Sequence, residues 1–183
     1  MEISDLVKKI TNDLAVDLSD EFDRNFERKS FFTKSWPSTK ISNSRGSLLN
    51  RTGNLRRSIR YSVIDNQIKF SSSLPYASIH NEGGELIVTK KMKSYFWAMY
   101  YKASGAIKAT PIKGKESKSK KNISLSAEAS KWKSLALMPI GHKIKVEKRQ
   151  FIGDHPQVRK IVQNVLDTNM EIFNQELAKK FKR

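Results

Sequence analysis

Residues 48–85 read LLNRTGNLRRSIRYSVIDNQIKFSSSLPYASIHNEGGE, and the spacing of turn formers within them decides the fold. Ile59–Ile64 and Gln67–Ser72 each alternate apolar with polar residues, and Asp65-Asn66 lies between them. Two period-two runs separated by two turn-forming residues predict a β-hairpin. Ahead of it, Leu48–Ile59 predicts a short helix with Thr52 as N-cap and with Leu55 and Ile59 on one face. After it, Pro75 introduces a helical turn over Tyr76–Asn81, and Gly83-Gly84 ends that turn with positive-φ geometry. Glu85–Thr89 predicts another strand.

Working outward, residues 3–29 place Ile3, Leu6, Val7, Ile10, Leu14, Leu18, Phe22 and Phe26 at spacings of three and four, an amphipathic helix. Residues 30–50 lose that period and predict a loop, with Phe31, Phe32 and Trp36 pinning it to the core. At the other end, Asp154 or His155 caps a helix opened by Pro156. Its stripe runs through Val158, Ile161, Val162, Val165, Leu166, Asn169, Ile172, Phe173, Leu177 and Phe181. Ile144–Lys148 alternates and predicts a strand returning to the sheet. The expected class is therefore α+β: a small antiparallel β-sheet packed by long N- and C-terminal amphipathic helices.

Residues 90–142 differ in kind and read as a Lys-rich helical and flexible insertion within a single domain spanning 1–183. Met92–Ala103 and Ala127–Leu137 predict helices, while 104–122 has no apolar period and is expected to be mobile. From Tyr101 to Gln150 there are thirteen Lys and Arg against three Glu, a local +10 within the net +17 of the 183-residue chain. Such charge implies an anionic partner or environment. Lysines of this segment could neutralise phosphates, and Tyr95, Trp97, Tyr100, Tyr101 and Trp132 could stack bases. Phe96, Met99 and Tyr100 read equally as one buried helix face.

Several chemistries are excluded or unsupported. With no cysteine, disulfides, thiolate metal sites and cysteine nucleophiles cannot occur. His80, His142 and His155 lack metal-binding spacing, so no metal or other cofactor is expected. Asp65, Glu82, Glu85 and Asp154 form no recognised nuclease spacing. A His80–Glu82 acid–base pair is the one enzymatic alternative, against a structural His80 beside a turn. The longest uncharged apolar run, Tyr95–Tyr101, is far shorter than the roughly 18 residues a membrane helix needs. A soluble, cytoplasmically made, non-enzymatic protein is expected.

Three sequence boxes carry a resemblance. The first is Thr52-Gly53-x-Leu55-x-x-Ser58-Ile59. The second is Tyr76-Ala77-x-Ile79-His80-x-x-Gly83-Gly84, and the third is Arg149-x-Phe151-Ile152-Gly153 before the last helix. In this order the chain resembles the virion morphogenesis or tail completion proteins of tailed phages, the Mu-type G protein family. That pattern also has an N-terminal helix ending in a phenylalanine, here Phe22 or Phe26, and a loop tryptophan, here Trp36. Gln150 stands where the family commonly has proline, and 90–142 is longer and richer in lysine than the family suggests.

The resemblance implies a structural protein of tail completion or head–tail joining, working with other neck and tail proteins and as a ring, commonly hexameric. It implies assembly in the host cytoplasm and a final place at the head–tail junction. Lys113, Lys115, Lys118, Lys120 and Lys121 are the candidates for contact with DNA or an acidic neighbour. A basic nucleic-acid-binding module using 102–148 is the alternative function.

Overall fold

A computed structural model describes residues 2–38, 48–107 and 119–181. The element order is α1 (Ile3–Arg28), β1 (Ser30–Phe31), β2 (Lys34–Ser35), α2 (Asn54–Ser58), β3 (Ile59–Ile64), β4 (Gln67–Ser72) and α3 (Ala77–Glu82). There follow β5 (Gly84–Ile87), α4 (Lys90–Gly105), α5 (Lys120–Leu137), β6 (Lys143–Val146) and α6 (Pro156–Phe181). The chain is α+β and divides into two compact units, the first including 2–37, 48–82 and 148–181 and the second including 83–147 among the described residues. Among the described residues, β1–β2, β3–β4 and β5–β6 form separate antiparallel two-stranded ladders, where the sequence suggested a single sheet.

In the first unit, β3 and β4 pair from Ile59↔Ser72 to Ile64↔Gln67. Asp65 and Asn66 both take positive φ (50° and 57°), the turn whose twist suits a two-residue hairpin. One face of the hairpin meets α1, where Phe70 packs edge-on against Phe22 at 4.9 Å. The long helices run antiparallel: Leu18 and Phe22 of α1 cluster with Val158 and Ile161 of α6. Farther along, Lys9 donates to Asn169 Oδ1, and Asn169 Nδ2 donates to Asp13 at 3.1 Å and to Val165 O at 2.9 Å. Asn169 is buried, and these bonds replace the water it lost.

The apolar stripe read for α1 needs correction at its start. Leu6, Leu18, Phe22 and Phe26 are buried, but Ile3 and Val7 are exposed, while Thr11, Ala15 and Asn25 complete the buried face. On α6 only Val165 and Asn169 are fully buried, and Ile172 and Phe181 face out. Helical period identifies a face; it does not say how far along the helix a partner extends.

In the second unit, β5 pairs with β6 from Gly84↔Val146 to Ile87↔Lys143. Val88, fully buried, continues this ladder by donating to His142 O at 2.8 Å and accepting from Gly141 N at 2.9 Å. Thr89 and Ser119 cap α4 and α5, their hydroxyls accepting from Met92 N and Asn122 N at 3.2 Å. Phe96 stacks on Trp132 at 6.0 Å, and with Ala103, Ala129 and Ala136 it fills the buried side of the helices. Contact between the first half of α4 and the second half of α5 makes them an antiparallel hairpin. Helix α5 begins seven residues before the Ala127 expected from sequence, because Ser119 supplies a cap that the lysine run obscured.

Candidate functional site

The three boxes meet in one core. Leu55 of the first, Ala77 of the second and Phe151 of the third are buried together with Phe26 and Trp36, and Ile59 and Ile152 pack against them. Of the two helix phenylalanines, Phe26 belongs to this cluster. Its ring lies 5.6 Å from Trp36, edge-on, and 5.2 Å from Phe151.

The segment Arg149–Gly153 has no regular secondary structure, so its backbone polar groups must find partners elsewhere. They find them in the second box, on α1 and at Trp36. Arg149 N donates to His80 O at 2.8 Å. Gln150 O accepts from Trp36 Nε1 at 2.6 Å, and Phe151 O accepts from Asn25 Nδ2 at 3.2 Å. Phe151 N and Ile152 N both donate to Asn81 Oδ1, at 2.9 and 3.1 Å. Arg149 is itself buried and donates through Nε to Pro37 O at 3.0 Å. Gly153 closes the box at φ 135°, and an added Cβ there would lie 2.5 Å from Gln150 Nε2.

In the first box, Gly53 takes φ 72° at the start of α2, the N-cap position read for Thr52. Thr52 still helps the turn: its Oγ1 accepts from Asn54 N at 3.4 Å. Ser58 Oγ reaches Leu55 O and Ser72 Oγ, both at 2.7 Å, joining α2 to the hairpin. The adjacent arginines serve the fold too. Arg56 grips Asp23 and Glu27 of α1, and these hydrogen bonds, Asp23 foremost, push its pKa further up. Arg57 turns back onto Thr52 O at 2.7 Å.

In the second box, Tyr76 is exposed and meets the His80 ring edge-on at 6.0 Å, while Ile79 is half-buried. Gly83 and Gly84 both have positive φ and lead into β5. His80 Nδ1 is buried without a hydrogen-bond partner, so it makes no bond to Glu82. Burial first, and the Arg149 cation second, hold the His80 imidazole below its ordinary 6.5. The fold thus favours neutral His80. Its contribution is complete above 6.5 and is lost as pH falls through the depressed folded value. Thermal melts should show the midpoint dropping on acidification from about pH 7 to about pH 5, with a flatter dependence in His80→Gln. An unchanged slope in that variant would contradict this role for His80.

His155 caps α6, with Nδ1 accepting from Gln157 N at 3.1 Å and its ring stacked on Phe32 at 4.7 Å. His142 belongs to the second unit. Among the described residues, no three His, Asp or Glu side chains are grouped to hold a metal ion, and no helix is long and apolar enough to cross a membrane. Lys113, Lys115 and Lys118 lie outside the described residues, as does most of the 104–122 stretch expected to be mobile. Lys120 and Lys121 are the first residues of α5 and are exposed.

Two residues central to this junction, Asn25 and Asn81, were not singled out by sequence reasoning. Asn81 falls at an unassigned position of the second box, and a lone asparagine in a helix gives no periodic signal. The arrangement provides hydrogen-bond partners and packing, and it positions no nucleophile or paired acid and base.

A family model described as the phage virion morphogenesis family matches residues 4–171. No curated protein and no solved structure matches the chain.

Proposed function

Because the chain belongs to the phage virion morphogenesis family, we propose that it is a non-enzymatic structural part of tail completion or head–tail joining. It works by contact with other neck and tail proteins and as a homo-oligomeric ring, six copies being the size the resemblance suggests. Assembly takes place in the host cytoplasm, and the protein ends at the head–tail junction of the virion.

The observation that supports contact-driven assembly is the free end of the α1–α6 pair. Beyond the Lys9–Asp13–Asn169 clasp, Ile3, Val7, Met170, Ile172 and Phe181 are all exposed, Phe181 at 85%. Apolar side chains gathered at one end of two amphipathic helices mark a surface that association would cover. Of the motif residues, by contrast, Leu55, Ala77, Arg149 and Phe151 are buried.

In vitro complementation tests this reading. Phage lacking the protein should accumulate unjoined or unfinished particles, and adding purified wild-type chain should restore infectivity. Ile172→Asp/Phe181→Asp should fold normally and fail to restore it. Normal particles formed without the protein, or full rescue by the variant, would defeat the proposal.

A further inference from the structure

The second unit holds charge that its fold does not use. Residues 83–147 contain fourteen Lys, no Arg and four Glu, a net of +10. Lys90, Lys91, Lys102, Lys120, Lys121 and Lys133 are exposed and form no ion pair among the described residues. Lys90-Lys91 and Lys120-Lys121 open α4 and α5, and neither helix has an acid in its first turn. Cations there oppose the helix dipole, so these lysines weaken the helices that carry them. The hairpin's own packing comes from the opposite faces, through Phe96, Ala103, Ala129, Trp132 and Ala136.

We propose that the outer surface of the α4–α5 hairpin binds the phosphate backbone of DNA without regard to base sequence. Three features favour DNA over an acidic protein. The charge is entirely lysine, whereas planar pairing with carboxylates favours arginine, and all ten arginines of the chain lie outside 83–147. Between the lysines lie small exposed residues, Ser94 and Ala98 on α4 and Ser124, Ala127 and Ser130 on α5, together with the exposed side chains of Tyr95, Tyr101 and Ile123. The small residues let a backbone approach closely, the exposed tyrosines can stack on bases, and the surface has no arginine anchor of the kind protein interfaces favour. The lysines also occur at both ends of the hairpin. A 16-residue helix is about 24 Å long, and duplex DNA presents a phosphate every 1.7 Å or so along its axis, so all six have partners within reach. The site stands apart from the assembly reading, and either can fail alone.

The test is fluorescence anisotropy with a labelled mixed-sequence duplex of about 25 base pairs, titrated with the full chain from about 50 to about 200 mM salt. Wild-type affinity should fall with salt at a log–log slope of about −5, near 0.9 per lysine engaged. Replacing the six lysines by Gln should flatten that slope by about 4–5 and weaken binding at about 50 mM salt by 100-fold or so. Gln is as good a helix former as Lys, so helicity by circular dichroism should hold. If the sixfold variant unfolds, Lys91→Gln/Lys102→Gln/Lys121→Gln decides, with an expected slope loss of about 3.

The proposal is overturned if the wild-type chain fails to bind at the lowest salt. It is equally overturned if a charge-matched variant of the first unit loses as much affinity; that variant replaces Lys8, Lys34, Lys69, Lys160, Lys179 and Lys180 by Gln. Displacement of the duplex by polyglutamate of equal charge, as effectively as by unlabelled duplex, would assign the surface to an acidic protein instead.

Discussion

Phe151→Ala should destabilise the protein by about 3–5 kcal/mol, measured by urea denaturation followed by circular dichroism. Phe151 is fully buried, its ring lies 5.2 Å from Phe26 of α1, and it shares one buried cluster with Leu55 of α2 and Ala77 of α3. Its main chain is fixed by Asn25 and Asn81, so the segment cannot collapse into the space left behind. A cavity that cannot relax falls at the costly end of large-to-small substitutions. Tyr101→Ala is the contrast. Tyr101 is 65% exposed, so its loss should cost about 0.5 kcal/mol or less. Equal losses at the two sites would show that the boxes do not form the core described.

Asn81→Leu is the second large effect, about 2–4 kcal/mol. One carbonyl oxygen accepts from two consecutive amides, Phe151 N and Ile152 N, beside a core that excludes water. Leucine keeps the approximate volume and leaves both donors without that acceptor, and each unsatisfied donor carries its own desolvation cost. Asn81→Asp keeps an acceptor oxygen and should retain most of the stability at neutral pH. The comparison separates hydrogen bonding from volume. If the Asp and Leu variants were equally destabilised, the shared acceptor would not be what holds the third box.

Much of the fold was legible in the residues because its signals are local. The β3–β4 hairpin has the boundaries that alternation and Asp65-Asn66 predict, and both of those turn residues do adopt positive φ. Helices α1 and α6 follow from their periods, and Pro156 with His155 marks the start of α6. What the pattern lacked was tertiary. Alternation in Ile144–Lys148 shows a strand but not its partner, which is β5 and not the hairpin. The exposed ends of α1 and α6 have the same period as the buried parts. The boxes were visible as short strings, yet what holds the third in place is a set of hydrogen bonds between one irregular segment and Asn25 and Trp36, which donate, and His80 and Asn81, which accept. Asparagine in this role has no sequence signature, because the acceptor geometry exists only once residues 70 or more positions apart have met.

A core made of signature residues leaves the exposed surfaces to carry function, and the apolar end of the α1–α6 pair is where association is expected. The chain has no cysteine, so Ile172→Cys introduces a single thiol at that end. The deciding measurement is its rate of maleimide labelling in the free folded chain and in assembled particles. Fast labelling of the free chain and strong protection in particles is the expected result. Equal labelling rates in the two states would contradict it.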